Sequence, residues 1–476
     1  MKFLNNKNTA TNFFWSFLSQ GGIEVIRFIV AIILARLLLP SDYGLMAVVG
    51  IFTGFSTVFI QFTFSPVIIQ NRDLDEEDID TIFWLNLLVG LLVGLLFVFS
   101  GGLISQFYKE PILYGLCILA GFQIFIASFT VIQRANQEKR HNFKIIGIVK
   151  FVSMLLASLI SIILAYLDYG VWALAINMFL IVLLEGIGIM FVSKWFPKFV
   201  FKRNTYSKIK KMTKSLVLER SFGHISESLD KFILGKFAGI NDLGLYSRAY
   251  GFLLFPLRNI SQVIAQVILP KVSENKDNLK KIKILYINSL NTVLLLIVPI
   301  MSVVFIVPDA IVSLIFGAKW LGMVPYLKVL SFCGILSSVV VITQSFFVGF
   351  GSHRSINKLT ILEKPFLIVS VFIGFFMNGP IGLTYGVLFS LLFSVIVRQF
   401  HISKILNINL LKQNIVLFKS CSVGALTYGF FKLFLIDRIN INLLMIILFL
   451  TLFIYYVVSF KFKKGFMINL KKLNSI

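Results

Sequence analysis

Two stretches of this sequence carry polar and ionisable residues at helical spacing within otherwise apolar sequence. The two sets lie 200 residues apart and correspond position for position: Gln20, Glu24, Arg27 and Ala31 in the first, Arg220, His224, Glu227 and Lys231 in the second. Steps of four, three and four residues place each set on one face of a helix. Basic groups on such a face suit an anion, and Arg in particular binds phosphate oxygens in a bidentate manner.

We therefore predict an anion-binding site made of basic residues on the first, seventh and eighth helices of the chain, because ionisable groups inside apolar spans are costly and by default functional. The candidates are Arg27, Arg220, Lys231, Arg248 and Arg258. Carboxylates beside them would bind a coupling proton or cation, and these are Glu24, Glu227 and Asp230.

A structural interpretation of the same charges stays open, because acids and bases within a helix are commonly paired. It pairs Glu24 with Arg27, Glu227 with Lys231, and Glu363 with Lys364. Bases close to helix ends are expected to extend toward the membrane surface instead, and these are Arg36, Lys236 and Arg398.

The elements that must position these residues are apolar helices. Of 476 residues, 58% are hydrophobic and 14% are charged, and apolar runs long enough to cross a bilayer recur along the chain. We predict an all-α, polytopic membrane protein. The net charge of +24 lies mostly in short loops between the runs, so membrane topology and anionic lipid explain it better than nucleic acid does.

Fourteen apolar runs predict about fourteen membrane spans. They are 14–38, 43–65, 81–106, 112–133, 145–166, 170–193, 215–238, 243–268, 284–307, 323–348, 356–377, 381–403, 413–436 and 441–460. We divide the chain into an N-terminal six-helix lobe at 12–193, a basic linker at 194–214, a C-terminal six-helix lobe at 215–404 and an additional helix pair at 413–460. Lys and Arg are concentrated in the linker, at both termini and in alternate loops, which the positive-inside rule places in the cytoplasm.

An internal repeat relates the two lobes. ILARLLLPSDYGLM begins at Ile33 and ILGKFAGINDLGLY begins at Ile233, with five of fourteen positions identical. Asp42 and Asp242 are expected to be helix N-caps in these turns. An even number of spans in each half gives both the same orientation, which predicts two pseudo-symmetric lobes around a central cleft.

The sequence offers no enzyme or metal chemistry. Cys117, Cys333 and Cys421 lie in apolar runs without metal-ligand spacing, and we expect neither a metal nor a cofactor. The predicted outer loops are a few residues long, and the longest offers a lone acid, Asp309. We predict no catalytic residues, because chemistry on a sugar needs acids or bases positioned together.

Four segments resemble a known family of transporters. They are SFLSQGG, with RFIVAIILARLLLPSDYGLMA after it, then ILGKFAGINDLGLYSRAY, QVILPKVSE and IFGAKWLGMVPYLKVLS. Over about residues 12–405 the chain is similar to the polysaccharide transporters of the multidrug/oligosaccharidyl-lipid/polysaccharide exporter superfamily, and within them to Wzx-type lipopolysaccharide and colanic-acid exporters.

The resemblance implies a function. Such proteins move undecaprenyl-pyrophosphate-linked oligosaccharide across the bacterial cytoplasmic (inner) membrane by alternating access, for O-antigen, capsule or exopolysaccharide. The implied partners are this lipid-linked glycan, membrane lipid and other polysaccharide-assembly membrane proteins, without nucleic acid. Two alternatives are a drug/cation antiporter of the same superfamily, whose cavity would be more acidic, and a membrane polymerase or glycosyltransferase acting on the same lipid-linked sugar.

Overall fold

The computed structural model describes residues 23–24, 26–70, 73–140, 142–193 and 195–407. The predicted spans at 413–436 and 441–460, and the start of the span at 14–38, lie outside these residues. Within the described part the chain is helical between short turns, without a strand, and nine helices are long and apolar enough to cross a membrane. The all-α polytopic prediction is therefore confirmed.

Apolar runs of membrane-spanning length account for most of the helices. The helices are α1 at 26–37, α2 Pro40–Gln70, α3 Glu76–Tyr108, α4 Ile112–Lys139, α5 Phe143–Tyr166, α6 Val171–Ser193, α7 Arg203–Ile233, α8 Ile240–Pro256, α9 Val263–Glu274, α10 Leu279–Ile306, α11 Pro308–Ile315, α12 Val324–Gly349 and α13 His353–Leu406. Segments of π-helix, Leu234–Ala238 and Leu257–Gln262, follow α7 and α8.

The chain divides into two compact units, Met1–Gly244 and Leu245–Ile476. The first unit thus includes α7, which begins at Arg203 inside the predicted linker. The lobes 12–193 and 215–404, as moving parts of a transporter, stay a prediction.

Small residues fix the packing of α3 on α4 in the first unit. A Cβ at Gly90 would overlap the Ser128 side chain, and a Cβ at Gly94 would meet the carbonyl of Gly121. Asn86 Nδ2 donates to the Ser128 carbonyl at 2.8 Å. Close backbone approach of this kind is how membrane helices associate without a hydrophobic driving force between them.

The repeated sequence motif is explained by a contact inside the first unit. A Cβ on Gly44 would overlap the carbonyl of Ile240, and a Cβ on Gly244 would overlap the carbonyl of Pro40. These contacts are related by the same 200-residue shift as the two sequences. The motif is therefore kept in both copies because each glycine admits the helix start of the other copy.

The N-cap prediction for the two aspartates is wrong. Helix α2 begins at Pro40, and Asp42 lies inside its first turn, where its Oδ2 accepts from the Leu39 N–H at 2.8 Å. Asp242 likewise lies inside the first turn of α8, which begins at Ile240. Proline at the first helical position moves the start of α2 ahead of the aspartate, which reaches back to the cap instead.

In the second unit, α13 contains the two spans predicted at 356–377 and 381–403. Non-helical backbone at Asn378 and Gly379 separates them, and Gly379 has a φ of +56° that suits glycine. The two segments then pack closely, because a Cβ at Gly374 would overlap the carbonyl of Gly382. The two spans predicted here are therefore observed as two packed helical segments.

Candidate functional site

The first charged face is anchored by apolar packing at one end of α1. Leu34 and Leu38 form a buried cluster with Ala165 of α5 and Ala173 of α6. At 1.5 Å per residue, the part of α1 near residue 27 lies about 16 Å along the helix from Leu38. The apolar contacts therefore fix one end of α1 against the end of α5 and the start of α6, and the charged part lies further along α1 from this anchor.

Glu24 and Arg27 form an ion pair, as the structural interpretation predicted. Arg27 Nη1 lies 2.7 Å from Glu24 Oε1, and 51% of the Arg27 side chain is exposed. A half-exposed pair of this spacing contributes little to stability. Because the pair uses one of the five guanidinium donors and half of the side chain is exposed, the remaining donors of Arg27 are accessible to a ligand.

Arg134 of α4 binds one carboxylate of its own helix and one of α6. Its Nε lies 3.0 Å from Glu138 Oε1, and its Nη1 lies 3.0 Å from Glu185 Oε1. The Glu185 side chain is 12% exposed, whereas that of Arg134 is 38% exposed. Each carboxylate takes one guanidinium nitrogen, so neither pair has the bidentate geometry that makes an arginine–carboxylate contact strongest.

Lys150 on α5 completes the group. It interacts electrostatically with four of these side chains: Arg134, Glu185, Arg27 and Glu24. We call the whole set the charged cluster, and its members are Glu24, Arg27, Arg134, Glu138, Lys150 and Glu185. It holds three bases and three acids from α1 and its start, α4, α5 and α6. It is balanced in charge as it stands, so an anion entering it would compete with the carboxylates for the bases.

Two bases of the charged cluster are not among the site residues that the sequence predicted. Arg134 lies just beyond the predicted span 112–133, yet α4 continues to Lys139. Lys150 lies within the predicted span 145–166, and an ionisable residue inside a span is the signal that identifies it. The pairing of Arg134 with Glu185, 51 residues away, has no signature in the sequence.

The second charged face, on α7, packs against α2. His224 Nε2 lies 2.8 Å from the carbonyl of Ile51, and its ring occupies the space that a Cβ on Gly54 would need. Arg220 and Glu227 on the same face are exposed, and Lys231 is half-buried. The histidine therefore serves helix packing, and a cleft lined by the other three stays a prediction.

The remaining candidates have different surroundings. Asp230 Oδ1 accepts from the backbone N–H of Lys231 at 2.7 Å. Arg248, in the second unit, holds its guanidinium carbon 5.3 Å from the ring centroid of buried Phe316, a cation–π distance. The backbone of Arg258 lies in the π-helical segment after Pro256, and its side chain is outside the described part of the chain.

Two expectations about Arg398 and Glu363 are wrong. Arg398 does not extend to a surface, because Nε and Nη2 lie 2.7 Å from the two carboxylate oxygens of Glu363, and both side chains are 9% exposed. The carboxylate predicted to pair with Lys364 is thus held by a residue 35 positions away. Arg398 Nη1 also donates to Gln344 Oε1. Packing of α13 on itself brings these groups together, which spacing within one helix cannot reveal.

A comparison with protein families identifies the chain. Residues 33–325 match the model of a family described as polysaccharide biosynthesis protein, which is more than half of the sequence. The chain belongs to this family. The resemblance to polysaccharide exporters that the sequence motifs indicated is therefore confirmed.

Individual relatives within the polysaccharide biosynthesis proteins are distant in sequence. The chain is 25% identical over 324 residues to the teichuronic acid biosynthesis protein TuaB of Bacillus subtilis, covering 68% of this chain and 67% of TuaB. It is 21% identical over 392 residues to the lipopolysaccharide biosynthesis protein WzxC of Escherichia coli, covering 81% and 79%.

Among solved structures, the chain is similar to the lipid II flippase MurJ in an inward closed conformation. The TM-score is 0.75 at 14% identity, and the match covers 94% of this chain and 99% of MurJ. At this identity the likeness establishes the fold, that of a multi-pass helical membrane protein. It carries no residue assignments to this chain.

Proposed function

We propose that this polysaccharide biosynthesis protein translocates undecaprenyl-pyrophosphate-linked oligosaccharide from the cytoplasmic to the outer leaflet of the bacterial inner membrane, by alternating access and with both termini in the cytoplasm. The observation that carries the proposal is the charged cluster within the apolar helices of the first unit. Groups of this kind are retained in a membrane where they meet a polar substrate.

The substrate feature that the cluster would recognise is the pyrophosphate. The two relatives are named for different polymers, teichuronic acid and lipopolysaccharide. We infer that the shared helices act on a part of the substrate common to many polymers, which is the charged lipid carrier rather than the sugar. Arg27, Arg134 and Lys150 would bind phosphate oxygens, because cationic donors form the strongest hydrogen bonds to them.

In this proposal the carboxylates of the charged cluster hold its bases until the substrate binds. Glu138 and Glu185 hold Arg134 when no substrate is present, at one contact each. A pyrophosphate would displace these carboxylates from Arg134. Because the charged cluster has equal numbers of acids and bases, the added anion gives it an excess of negative charge. Arg220, Lys231, Arg248 and Arg258 remain candidates for later contacts along the path, with Glu24, Glu227 and Asp230 as candidate coupling groups.

The decisive experiment locates the complete lipid-linked repeat unit in cells depleted of this protein. A membrane-impermeant glycan label is applied to intact and permeabilised cells. We expect complete units to accumulate and to react with the label only after permeabilisation. Units that accumulate already exposed to the label would assign the protein to a later step such as polymerisation. No accumulation would contradict the proposal and favour the drug/cation antiporter.

A further inference from the structure

The segment that joins α6 to α7 is a fixed, extended strap rather than a free tether. The strap is residues 195–202, WFPKFVFK, and it has no helix. Trp84 Nε1 of α3 donates to the Lys198 carbonyl at 2.8 Å, and the backbone N–H of Lys202 donates to Thr81 Oγ1 at 3.0 Å. The backbone of the strap is thus held at the level of residues 81–84 of α3.

Ionic contacts hold the end of the strap to the start of α3. Lys202 Nζ lies 2.7 Å from Asp75 Oδ2 and 2.7 Å from Glu77 Oε2. Hydrogen bonds to these two carboxylates raise the pKa of Lys202 above its ordinary value. In the next residues, Thr205 donates to buried Asp78. The acidic start of α3 therefore attaches both the strap and the first turn of α7.

The length and hydropathy of α3 place the strap at the expected level of a membrane surface. Helix α3 has 33 residues, which is about 50 Å of helix against a hydrocarbon core of about 30 Å, so one or both of its ends must leave the core. Its apolar run begins at residue 81, after five acidic residues between 75 and 80. Thr81 and Trp84 hence mark the boundary between headgroups and acyl chains, and the strap crosses α3 at this boundary.

The strap presents exposed aromatic rings and bases, although one face of the Phe199 ring stacks on Trp84 of α3 with the ring centroids 4.4 Å apart. Phe196, Phe199 and Phe201 are 63%, 89% and 64% exposed. Three bases between them and in the following turns of α7 are also exposed: Lys198, Arg203 and Lys210. Residues 194–214 contain eight Lys and Arg and no acid. Aromatic rings at headgroup level with bases beside them are typical of segments that bind an anionic membrane surface.

We propose that the strap and the first turns of α7 form an interfacial binding surface for anionic phospholipid of the leaflet that they face. The rings of Phe196, Phe199 and Phe201 enter between the acyl chains, and Lys198, Arg203 and Lys210 bind the headgroups. The acidic start of α3 serves as the attachment that keeps this surface at the correct depth. The proposal does not depend on which substrate the protein transports.

Site-directed spin labelling of the full-length protein in vesicles tests the depth of the strap. Cys421→Ser removes one cysteine, while Cys117 and Cys333 are buried. The label is placed at Phe199→Cys, with Phe376→Cys as the control on an exposed apolar face of α13 and Lys276→Cys as the control in an exposed turn. Accessibility to oxygen and to a water-soluble nickel complex is measured in phosphatidylglycerol-containing and in pure phosphatidylcholine vesicles.

In the phosphatidylglycerol-containing vesicles, we expect nickel accessibility at residue 199 to be about tenfold lower than at residue 276. Each base near an anionic surface strengthens attachment severalfold, which holds residue 199 among the lipids and away from the aqueous nickel complex. The difference should shrink in phosphatidylcholine. The variant Lys198→Gln/Arg203→Gln/Lys210→Gln should behave alike in both lipids, with residue 376 unchanged. Nickel accessibility at residue 199 equal to that at 276 in both lipids would overturn the proposal and indicate a surface for water or another protein. Equal protection of the parent protein in both lipids would also overturn it, because charge would then have no part.

Discussion

Two arginines of this polysaccharide biosynthesis protein are used in different ways. Arg398, in the second unit, has Nε and Nη2 on both oxygens of Glu363 and Nη1 on Gln344, with 9% exposure on either side of the ion pair. Arg134, in the first unit, makes one contact to each of two carboxylates and is 38% exposed. Each nitrogen of the first guanidinium contacts a protein oxygen, whereas the second makes single contacts that an anion can displace.

The surroundings of the two arginines reinforce the contrast. Next to Arg398, the hydroxyl of buried Tyr286 donates to Gln399 Oε1 at 3.1 Å and lies 3.1 Å from Thr343 Oγ1. These are neutral, hydrogen-bonded groups between α10, α12 and α13. Around Arg134 the neighbours are charged and include a second base, Lys150. Like charges held close together are typical of functional sites, which favours this role for Arg134 and Lys150.

The largest expected effect is on stability, at Arg398. Arg398→Ala leaves the Glu363 carboxylate buried without its partner, which should lower the free energy of unfolding by about 3–5 kcal/mol. The measurement is the unfolding midpoint of the detergent-solubilised protein. Replacing both partners, as Arg398→Met with Glu363→Leu, should recover most of the loss. A stable Arg398→Ala protein that no longer transports would reverse our assignment of the two regions.

The next effect is on transport, at the charged cluster. Arg134→Gln and Lys150→Gln should each slow the appearance of lipid-linked units outside the cell by about 10–100-fold, the cost of a lost charged hydrogen bond. Stability should fall by no more than about 1–2 kcal/mol. Lys276→Gln in an exposed turn is the matched control and should transport normally. Arg134→Lys should be intermediate, because it keeps the charge and loses the planar fork.

A smaller combined effect is expected at Arg27. Arg27→Gln should slow transport by about tenfold, whereas the unfolding free energy should change by only about 0.2–0.5 kcal/mol, because the pair with Glu24 is local and half-exposed. Transport rates and unfolding midpoints are measured on the same variant. A stability loss as large as that of Arg398→Ala would place Arg27 with the structural arginines.

The smallest effect is expected at Lys202. Its ion pairs with Asp75 and Glu77 are exposed and serve as a baseline for both regions. Its folded pKa is raised by Asp75 and Glu77, so its contribution is complete below the unfolded pKa of about 10 and is lost only as pH rises through the higher folded value. The difference in unfolding temperature between the parent and Lys202→Gln should therefore be constant from about pH 6 to pH 9. A difference that disappears within this range would show that Lys202 is not held by these carboxylates.

Much of the fold could be predicted from the sequence, since hydropathy alone marks a helix that spans a membrane. The predicted span 145–166 is observed as α5, Phe143–Tyr166, and the hairpin of α13 was recovered as two spans. Hydropathy did not predict where helices with charged ends begin. Helix α7 begins at Arg203 rather than near 215, because Thr205 and Lys202 are bound to the acidic start of α3 and stabilise turns that hydropathy does not indicate.

The candidate site divides in the same way. The structural interpretation of the sequence paired Glu24 with Arg27, because three positions apart on a helix is a contact fixed by local geometry. It could not identify the pairing of Arg134 with Glu185 or of Arg398 with Glu363, since each joins different helical segments.

By itself the sequence determined the class of protein, most of the apolar helices in the described part of the chain, the repeated motif and one charged helix face. These follow from composition and from periods of a few residues, which act within a single helix. The tertiary structure alone decided which arginine is enclosed by a carboxylate and which remains open to an anion. It also decided why Gly44 and Gly244 are repeated, because each admits a backbone from the other copy of the motif.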